Sequence, residues 1–256
     1  MIKSIKLLFP LLLRDQFRFL KTPYNSLIRL CIVVRSGKKI ISGPFKKIYF
    51  DIPNFNTAMM LGTWEKELHS LFSNFKLDGP LICIGAAEGY YAVGLAKVKK
   101  LSTVYAYETQ KSYQTFLRKN ALINEITNII VRGTCDINSL HEVLNKTTQT
   151  PLILCDIEGG EIELLDLDKI PQLCNAHILV EVHEMYVENC EKKLLSRFAL
   201  THEAVVIEGK KRTIDDLPNE LNFLKYFFPR NRIITLMSEG RPYPMNWIWF
   251  NPLSKN

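Results

Sequence analysis

The chain has 256 residues, of which 47% are hydrophobic and 23% charged, so it has enough apolar material for a globular protein with a sizeable core. Its net charge of +7 is unevenly distributed: residues 1–50 carry eleven Lys and Arg against one acid, and the rest of the chain carries 22 bases and 25 acids. A slightly acidic body lacks the basic surface typical of nucleic-acid binding, and we expect no nucleic-acid partner.

Residues 1–61 form a predicted basic N-terminal arm. Its apolar run at residues 5–13 is interrupted by Pro10 and is too short for a membrane span, which needs about 20 residues. No small-residue cleavage site follows, so we expect no signal peptide. Two interpretations of residues 5–19 stay open: an interfacial helix in peripheral contact with the inner face of a membrane, or a segment that packs on the protein or stays solvated.

The six cysteines contain no C-x-x-C pair, and Cys83 and Cys155 lie inside apolar runs that predict buried strands. Cysteines used in this way behave as small hydrophobic residues with reduced thiols. We therefore expect a cytoplasmic protein without a disulfide framework.

Strand and helix patterns alternate from residue 81 onward, after a predicted helix at residues 63–72 that Thr63 caps. The predicted strands lie at residues 81–84, 103–107, 128–131, 151–155, 177–182, 204–207 and 247–250. The predicted helices lie at residues 90–100, 110–124, 137–145, 160–167 and 188–198. The alternation predicts an α/β fold with a mostly parallel, doubly wound sheet and helices on both faces.

We expect one domain over residues 62–256, with residues 209–246 as a lid or insertion before the last strand. Tyr243 and Trp247 are candidates for an acceptor platform. The alternation of Trp247 with Trp249 favours a plain sheet position for both tryptophans.

The turn Gly85–Gly89 directly follows the first strand and opens a helix, where open α/β sheets bind ligands. Glu108 ends the second strand, 19 residues after Gly89, and an acid at this point can accept both hydroxyls of a ribose. Asp136 follows the third strand and has two open interpretations, an adenine contact or the N-cap of the next helix.

The most informative segments end the fourth and fifth strands. Asp156, Glu158 and Glu161 lie within six residues, and such carboxylates repel one another unless a positive or protonated group lies among them. Glu181 and His183 fall on the same side of the next strand by alternation. His183 is therefore a candidate general base near neutral pH.

These residues resemble the FkbM-type methyltransferases over residues 62–207, through LICIGAAEGYY (81–91), Glu108, Asn120 with Asn124, DIEGGE (156–161) and EVH (181–183). The last two motifs are the most specific, since all class I methyltransferases share the glycine turn. The resemblance implies a Rossmann-like class I methyltransferase fold, S-adenosyl-L-methionine as cofactor, and O-methylation of a hydroxyl on a sugar, a glycan or another small molecule.

We expect Asp156, Glu158 and His183 to orient and deprotonate the acceptor. The resemblance implies that no metal ion takes part. The cofactor would be held by Gly85, Ala86, Glu88, Gly89, Tyr90, Glu108, Asp136 and Asp156.

Three positions depart from the family pattern. Cys83 stands where the family usually has Asp, Ala87 where it has Asn, and Leu154 where it often has Lys. Loss of the acid at residue 83 would either weaken cofactor binding or shift the task at the cofactor's amino-acid end to Glu88. These departures support a rival interpretation, a catalytically inactive methyltransferase-fold module that is tethered by its basic arm.

Two further alternatives rest on the same segments. Asp156, Glu158, Glu181 and His183 offer the ligands that a divalent cation would take. A nicotinamide oxidoreductase would need G-x-G-x-x-G, but Ala87 and Tyr90 stand where that pattern has its second and third glycines.

Overall fold

The computed structural model describes residues 23–51, 56–241 and 243–253, which belong to two compact units. Unit 1 comprises Met1–Lys66 and Lys211–Tyr243, and unit 2 comprises Glu67–Lys210 and Pro244–Asn256. The interfacial helix predicted within residues 5–19 lies outside the described residues. The predicted domain boundary at residue 62 and the predicted lid at residues 209–246 remain predictions.

Unit 2 is built on a sheet of seven strands in the order β3-β2-β1-β4-β5-β7-β6. Its first five strands are mutually parallel, and β7 runs antiparallel to both β5 and β6. The predicted mostly parallel sheet is therefore confirmed. The strands are β1 (Leu81–Ile84), β2 (Val104–Tyr107), β3 (Ile129–Arg132), β4 (Leu152–Cys155), β5 (His177–Glu181), β6 (His202–Ile207) and β7 (Trp247–Pro252).

Helices connect these strands and cover both faces of the sheet. Strand order reverses between β1 and β4, and right-handed crossovers on the two sides of such a reversal lie on opposite faces. One face carries a core in which Ile82, Ile153 and Ile178 pack with Leu140 and Leu194. The connecting helices are α4 (Tyr90–Lys99), α5 (Lys111–Ile123), α6 (Ile137–Lys146), α7 (Glu161–Leu164) and α8 (Cys190–Phe198), preceded in the chain by α3 (His69–Asn74).

The helix predicted at residues 63–72 is present only in part, and its start at Thr63 is wrong. The chain forms a 3₁₀ turn at Lys66–Leu68 and then α3, whose N-cap position Leu68 makes no side-chain cap. The Thr63 hydroxyl instead donates to the carbonyls of Ala58 and Met237. These backbone carbonyls compete with the helix N-terminus for the hydroxyl. The helix predicted at residues 160–167 is also shorter, since α7 ends at Leu164.

Unit 1 gives the second half of the basic segment a folded structure. Its helices are α1 (Pro23–Ser36), α2 (Thr57–Leu61), α9 (Leu224–Phe227) and α10 (Arg230–Met237), with 3₁₀ turns at Ile214–Asp216 and Asn219–Leu221. Ile28, Ile32 and Phe45 are buried in it, so residues 23–50 are not a solvated extension. The sequence did not predict α1 or α2. No helix in the described ranges is long and apolar enough to cross a membrane.

All six cysteines fall within the described residues and have free thiols. Cys83 and Cys155 are buried in β1 and β4, as predicted. Trp247 is buried in β7, which agrees with the sheet interpretation of that residue.

Candidate functional site

The turn after β1 lies where the strand order reverses, against the end of β4. Gly85 has φ +80°, and a Cβ built on it would lie 1.7 Å from the carbonyl oxygen of Asp156. The amide of Asp156 in turn donates to the carbonyl of Ile84 at 3.0 Å. Glycine is therefore required at residue 85 by both the left-handed backbone and the close approach of β4.

The second half of the turn is fixed by α5. A Cβ on Gly89, which has φ +93°, would lie 3.0 Å from the side chain of Leu117 in α5. The Asn120 side-chain amide donates to the carbonyl of Glu88 at 3.0 Å, and that of Asn124 donates to the carbonyl of Asn120 at 2.8 Å. Asn120 thus holds the backbone of the turn in place, and Asn124 bonds to the backbone of Asn120.

Glu108 connects the end of β2 to the same turn. Its carboxylate accepts the backbone N–H of Ala87 at 2.9 Å and that of Gln110 at 2.7 Å. An ionised carboxylate has about four lone-pair positions, so these bonds leave Glu108 able to accept from a ligand. Ala87 has φ +44°, a left-handed conformation that Asn adopts more readily than Ala.

Glu88, Ala86 and Tyr90 are buried beside this carboxylate. Burial raises the pKa of Glu88, and the negative charge of Glu108 raises it further. A hydrogen bond from the backbone of Glu88 itself lowers this pKa, but by less. Tyr113 lies in the same field: burial and then Glu88, Glu108 and Glu158 raise the pKa of its hydroxyl. Sequence reasoning missed Tyr113, because one tyrosine in a predicted helix gives no signal of its own.

Asp136 serves as the N-cap of α6. Its carboxylate accepts the backbone N–H of Ser139 at 2.8 Å, and the Ser139 hydroxyl accepts the N–H of Asp136, which forms a capping box. These bonds hold the pKa of Asp136 below its ordinary value. The structure thus supplies one of the two predicted roles, and the adenine contact remains a prediction.

His183 is surrounded by three carboxylates. Its Nδ1 lies 2.8 Å from an oxygen of Glu161, and its Nε2 lies 3.2 Å from Glu181 and 3.6 Å from Asp156. The side chains of His183, Glu161 and Glu181 are almost completely buried, whereas that of Asp156 is partly exposed. The predicted grouping of Asp156, Glu181 and His183 at the strand ends is therefore present.

The Glu161 carboxylate also shapes the loop that follows β4. It accepts the backbone N–H of Ile157 at 3.1 Å and that of Gly159 at 2.9 Å. Burial opposes ionisation of Glu161, but the hydrogen bond from His183 and its charge hold the pKa below the ordinary value. Glu161 ties the DIEGGE loop to the EVH segment, a role that motif spacing alone does not reveal.

The geometry at His183 favours the doubly protonated ring. Both ring nitrogens face carboxylates, and only the imidazolium can donate from both. Burial lowers the pKa of His183, but hydrogen bonds to Glu161 and Glu181 and their charges raise it to about 10. A ring that carries both protons at neutral pH is a poor general base, so the geometry gives no support to that predicted role.

Glu158 is not part of this buried group. It is exposed, with φ +53°, in the loop between β4 and α7. Tyr186 lies closer to the group: its ring centroid is 5.9 Å from that of His183, and a Cβ on Gly159 would lie 2.9 Å from the Tyr186 Cβ. Tyr186 is more than half exposed, so it presents an aromatic face beside the site.

Two of the three family departures are neighbours in the sheet. Cys83 of β1 pairs in register with Leu154 of β4, and both side chains are buried. The acid and the base of the FkbM pattern are both absent from these positions, where two apolar residues lie side by side. Replacing both partners of a buried pair is far less destabilising than removing one. The core is therefore intact without these charges.

Asp156, Glu181 and His183 could also hold a metal ion, because each offers one ligand atom and these atoms lie within 4.8 Å of one another. Glu161 on Nδ1 would suit this arrangement, since metal-binding histidines usually donate their other ring N–H to a carboxylate. A metal ion on Nε2 would first have to displace the proton held there by Glu181.

No protein-family model and no curated protein sequence matches the chain. Among solved structures, it is similar to M. jannaschii TYW2 in complex with AdoMet, at 14% identity and a TM-score of 0.43 over 74% of this chain and 75% of that one. It is also similar to a fibrillarin/Nop5p complex, at 14% identity and a TM-score of 0.49 over 84% and 92% of the two chains. An rRNA methylase from Streptococcus thermophilus matches at 10% identity and a TM-score of 0.49 over 73% and 97%.

Such distant likenesses carry no argument about activity, and they lend no support to the predicted absence of a nucleic-acid partner. The fold rests on the sheet itself. A seven-stranded sheet of order β3-β2-β1-β4-β5-β7-β6, in which β7 is antiparallel to both neighbours, is the Rossmann-like class I methyltransferase fold that the sequence predicted.

The pKa of His183 predicts a pH-dependent stability. Because the folded-state pKa of about 10 lies above the ordinary 6.5, the stability that the charged ring contributes is complete below pH 6.5 and is lost as pH rises through 10. Urea unfolding of the wild type and of His183→Gln should therefore show a free-energy difference that is largest in acid and shrinks across this range. A difference that is constant with pH would contradict the charged ring.

Proposed function

We propose that the chain is an S-adenosylmethionine-dependent methyltransferase of the FkbM type, which methylates a hydroxyl of a sugar, a glycan or another small molecule. The observation that carries this proposal is the convergence of the Gly85–Gly89 turn and the Glu108 carboxylate at the carboxyl edge of β1 and β2. The FkbM assignment and the hydroxyl acceptor come from the DIEGGE and EVH motifs. The free thiols support the expected cytoplasmic location.

The residues of the turn suit this cofactor. Gly85 lets the turn lie directly against the end of β4, and Glu108 retains acceptor capacity for ribose hydroxyls. The N-terminus of α4, which begins at Tyr90, favours a carboxylate through the positive end of its dipole. Ala86, Glu88 and Gly89 would line the same turn, with Asp136 at the adenine and Asp156 toward the methyl group. When bound, S-adenosylmethionine supplies an activated methyl on a sulfonium.

On the acceptor side, the chain's own residues orient a hydroxyl and take its proton. Asp156 is the partly exposed carboxylate of the buried group, and we assign it the contact with the acceptor hydroxyl. His183 is a positioning residue in this proposal, since its charge holds Asp156 and Glu181 together at the strand ends. Glu158 lies at the exposed rim, and Tyr186 offers the aromatic face against which a sugar ring can stack.

A catalytically inactive binding module is the second candidate. Cys83 and Leu154 favour it, because they remove two charged groups that are usual in the family. The buried charge around His183 argues the other way. Burying a histidine and three carboxylates together carries a desolvation penalty, and an inactive site would have no function that requires it.

Calorimetric titration with S-adenosylhomocysteine tests the cofactor site. We expect a dissociation constant on the order of micromolar for the wild type, and at least about tenfold weaker binding for Glu108→Ala, which loses a charged acceptor. Glu203→Ala, an exposed acid on β6, is the matched control and should bind as the wild type does. No binding by the folded wild type at about millimolar ligand, or binding of NADH instead, would contradict the cofactor assignment.

Methyl transfer from labelled S-adenosylmethionine to a panel of hydroxylated sugars tests the reaction. Asp156→Asn should lower turnover by roughly 10²–10⁴-fold, because the acceptor proton loses its base. Glu163→Gln, an exposed acid of α7, should retain activity. An equal loss of S-adenosylhomocysteine affinity in Asp156→Asn would place that residue on the cofactor alone.

The same assay separates the rivals. Turnover that persists in a chelator supports the metal-independent mechanism, and strict dependence on a divalent cation would contradict it. Cofactor binding by the wild type without transfer to any acceptor would favour the inactive module.

A further inference from the structure

The outward face of α1 is apolar, although it faces solvent. Leu27, Leu30 and Val34 are 51%, 56% and 75% exposed, and their i, i+3, i+7 spacing places them on one side of the helix. Val33 is also exposed beside them. A surface helix normally turns polar residues outward, so this exposed apolar face indicates an interaction site.

The opposite face of α1 already has a core to pack on. Asn25, Ile28, Ile32 and Ser36 follow one another at helical spacing, and all four are buried. The helix is therefore fixed in unit 1 by one face and presents a second apolar face to the outside. The exposed stripe does not result from a helix that fails to pack.

Basic residues lie at the C-terminal end of this stripe, and the first turn of α1 contains no acid. Arg35 and Lys38 are exposed at and just beyond its C-terminal end. Unit 1 as a whole carries 18 Lys and Arg against 7 Asp and Glu, a net charge of +11, whereas unit 2 carries 15 against 19, a net charge of −4. The positive charge of the protein thus belongs to the unit that exposes the apolar stripe.

Apolar side chains in the middle of a helix face with basic residues at its edge suit an anionic lipid surface. The apolar side chains enter the boundary between headgroups and acyl chains, and each Lys or Arg near the surface adds attraction to anionic headgroups. A nucleic acid would use the positive charge but would leave Leu27, Leu30 and Val34 against water or phosphate. A second copy of the chain would bring two strongly positive units together.

Unit 1 also exposes aromatic residues in and next to α9. Tyr226 and Phe227 are exposed, with Phe223 partly so, and Lys225 and Arg230 flank them. Aromatic side chains are enriched at membrane interfaces, where the headgroups meet the apolar core. This second feature of the same unit points to the same kind of partner.

We propose that α1 docks the protein peripherally on an anionic phospholipid membrane, with Leu27, Leu30 and Val34 inserted and the Lys and Arg at its C-terminal end on the headgroups. This docking is independent of the proposed methyl transfer, because the residues of the candidate site all belong to unit 2.

Flotation of the full chain with vesicles tests the proposal. The wild type should float with vesicles of phosphatidylcholine and phosphatidylserine, bind much less to phosphatidylcholine alone, and be released by salt. Leu30→Glu/Val34→Glu should weaken the binding at least about tenfold, because two inserted side chains become charged. The control Leu122→Glu/Leu200→Glu, which changes two exposed leucines of unit 2 in the same way, should bind as the wild type does.

Several results would overturn the proposal. Binding of the α1 variant equal to that of the wild type would place the membrane contact elsewhere or exclude it. A large loss of thermal stability in the variant would mean that another part of the chain covers this face, and Val34→Glu alone checks that result at the most exposed position. Conversion of a dimer to a monomer would make the face a contact between copies. Tight binding to single-stranded RNA with no binding to vesicles would mean that the positive charge of unit 1 serves to bind a nucleic acid.

Discussion

The buried charge of His183 is the constraint on which the candidate site depends. Strands β4 and β5 end beside each other, and their continuations bring Asp156, Glu161 and Glu181 into one buried space. Three carboxylates without a counter-charge would be strongly destabilising there, because charges in a protein interior must be paired and hydrogen-bonded. The imidazolium of His183 meets this need, since its Nδ1 bonds to Glu161 and its Nε2 lies 3.2 Å from Glu181. It thereby links the DIEGGE loop to the EVH segment and leaves the Asp156 carboxylate at the edge of the group.

The other half of the site depends on backbone geometry more than on charge. Gly85 permits β1 and β4 to approach each other, and Asn120 and Glu108 hold the turn from α5 and β2. The two halves meet at Asp156, whose backbone contacts the turn and whose side chain belongs to the charged group. The apolar Cys83 and Leu154 lie beneath this meeting point as a lateral pair. The departures from the family pattern are therefore accommodated in the core, without an unpaired charge.

Much of this arrangement could be predicted from the sequence, because parallel strands are continuous apolar runs and the motif residues follow them directly. The strands of unit 2 lie within a residue or two of the predicted bounds. The N-terminal helix α1 could not be predicted in the same way. Its two faces are both apolar, so the contrast that marks a surface helix is absent. The state of His183 was also beyond sequence reasoning, since it depends on Glu161, 22 residues away, which only the tertiary fold brings to Nδ1.

Nuclear magnetic resonance of the ring nitrogens of His183 tests the central claim most directly. In the full chain with ¹⁵N-labelled histidine, and with His183→Gln to assign the signals, both ring nitrogens should remain protonated from about pH 6 to about pH 9. This result would establish His183 as the cation that organises the three carboxylates. A ring that loses one proton with a midpoint near its ordinary pKa of 6.5 would contradict the account and restore His183 as a candidate general base.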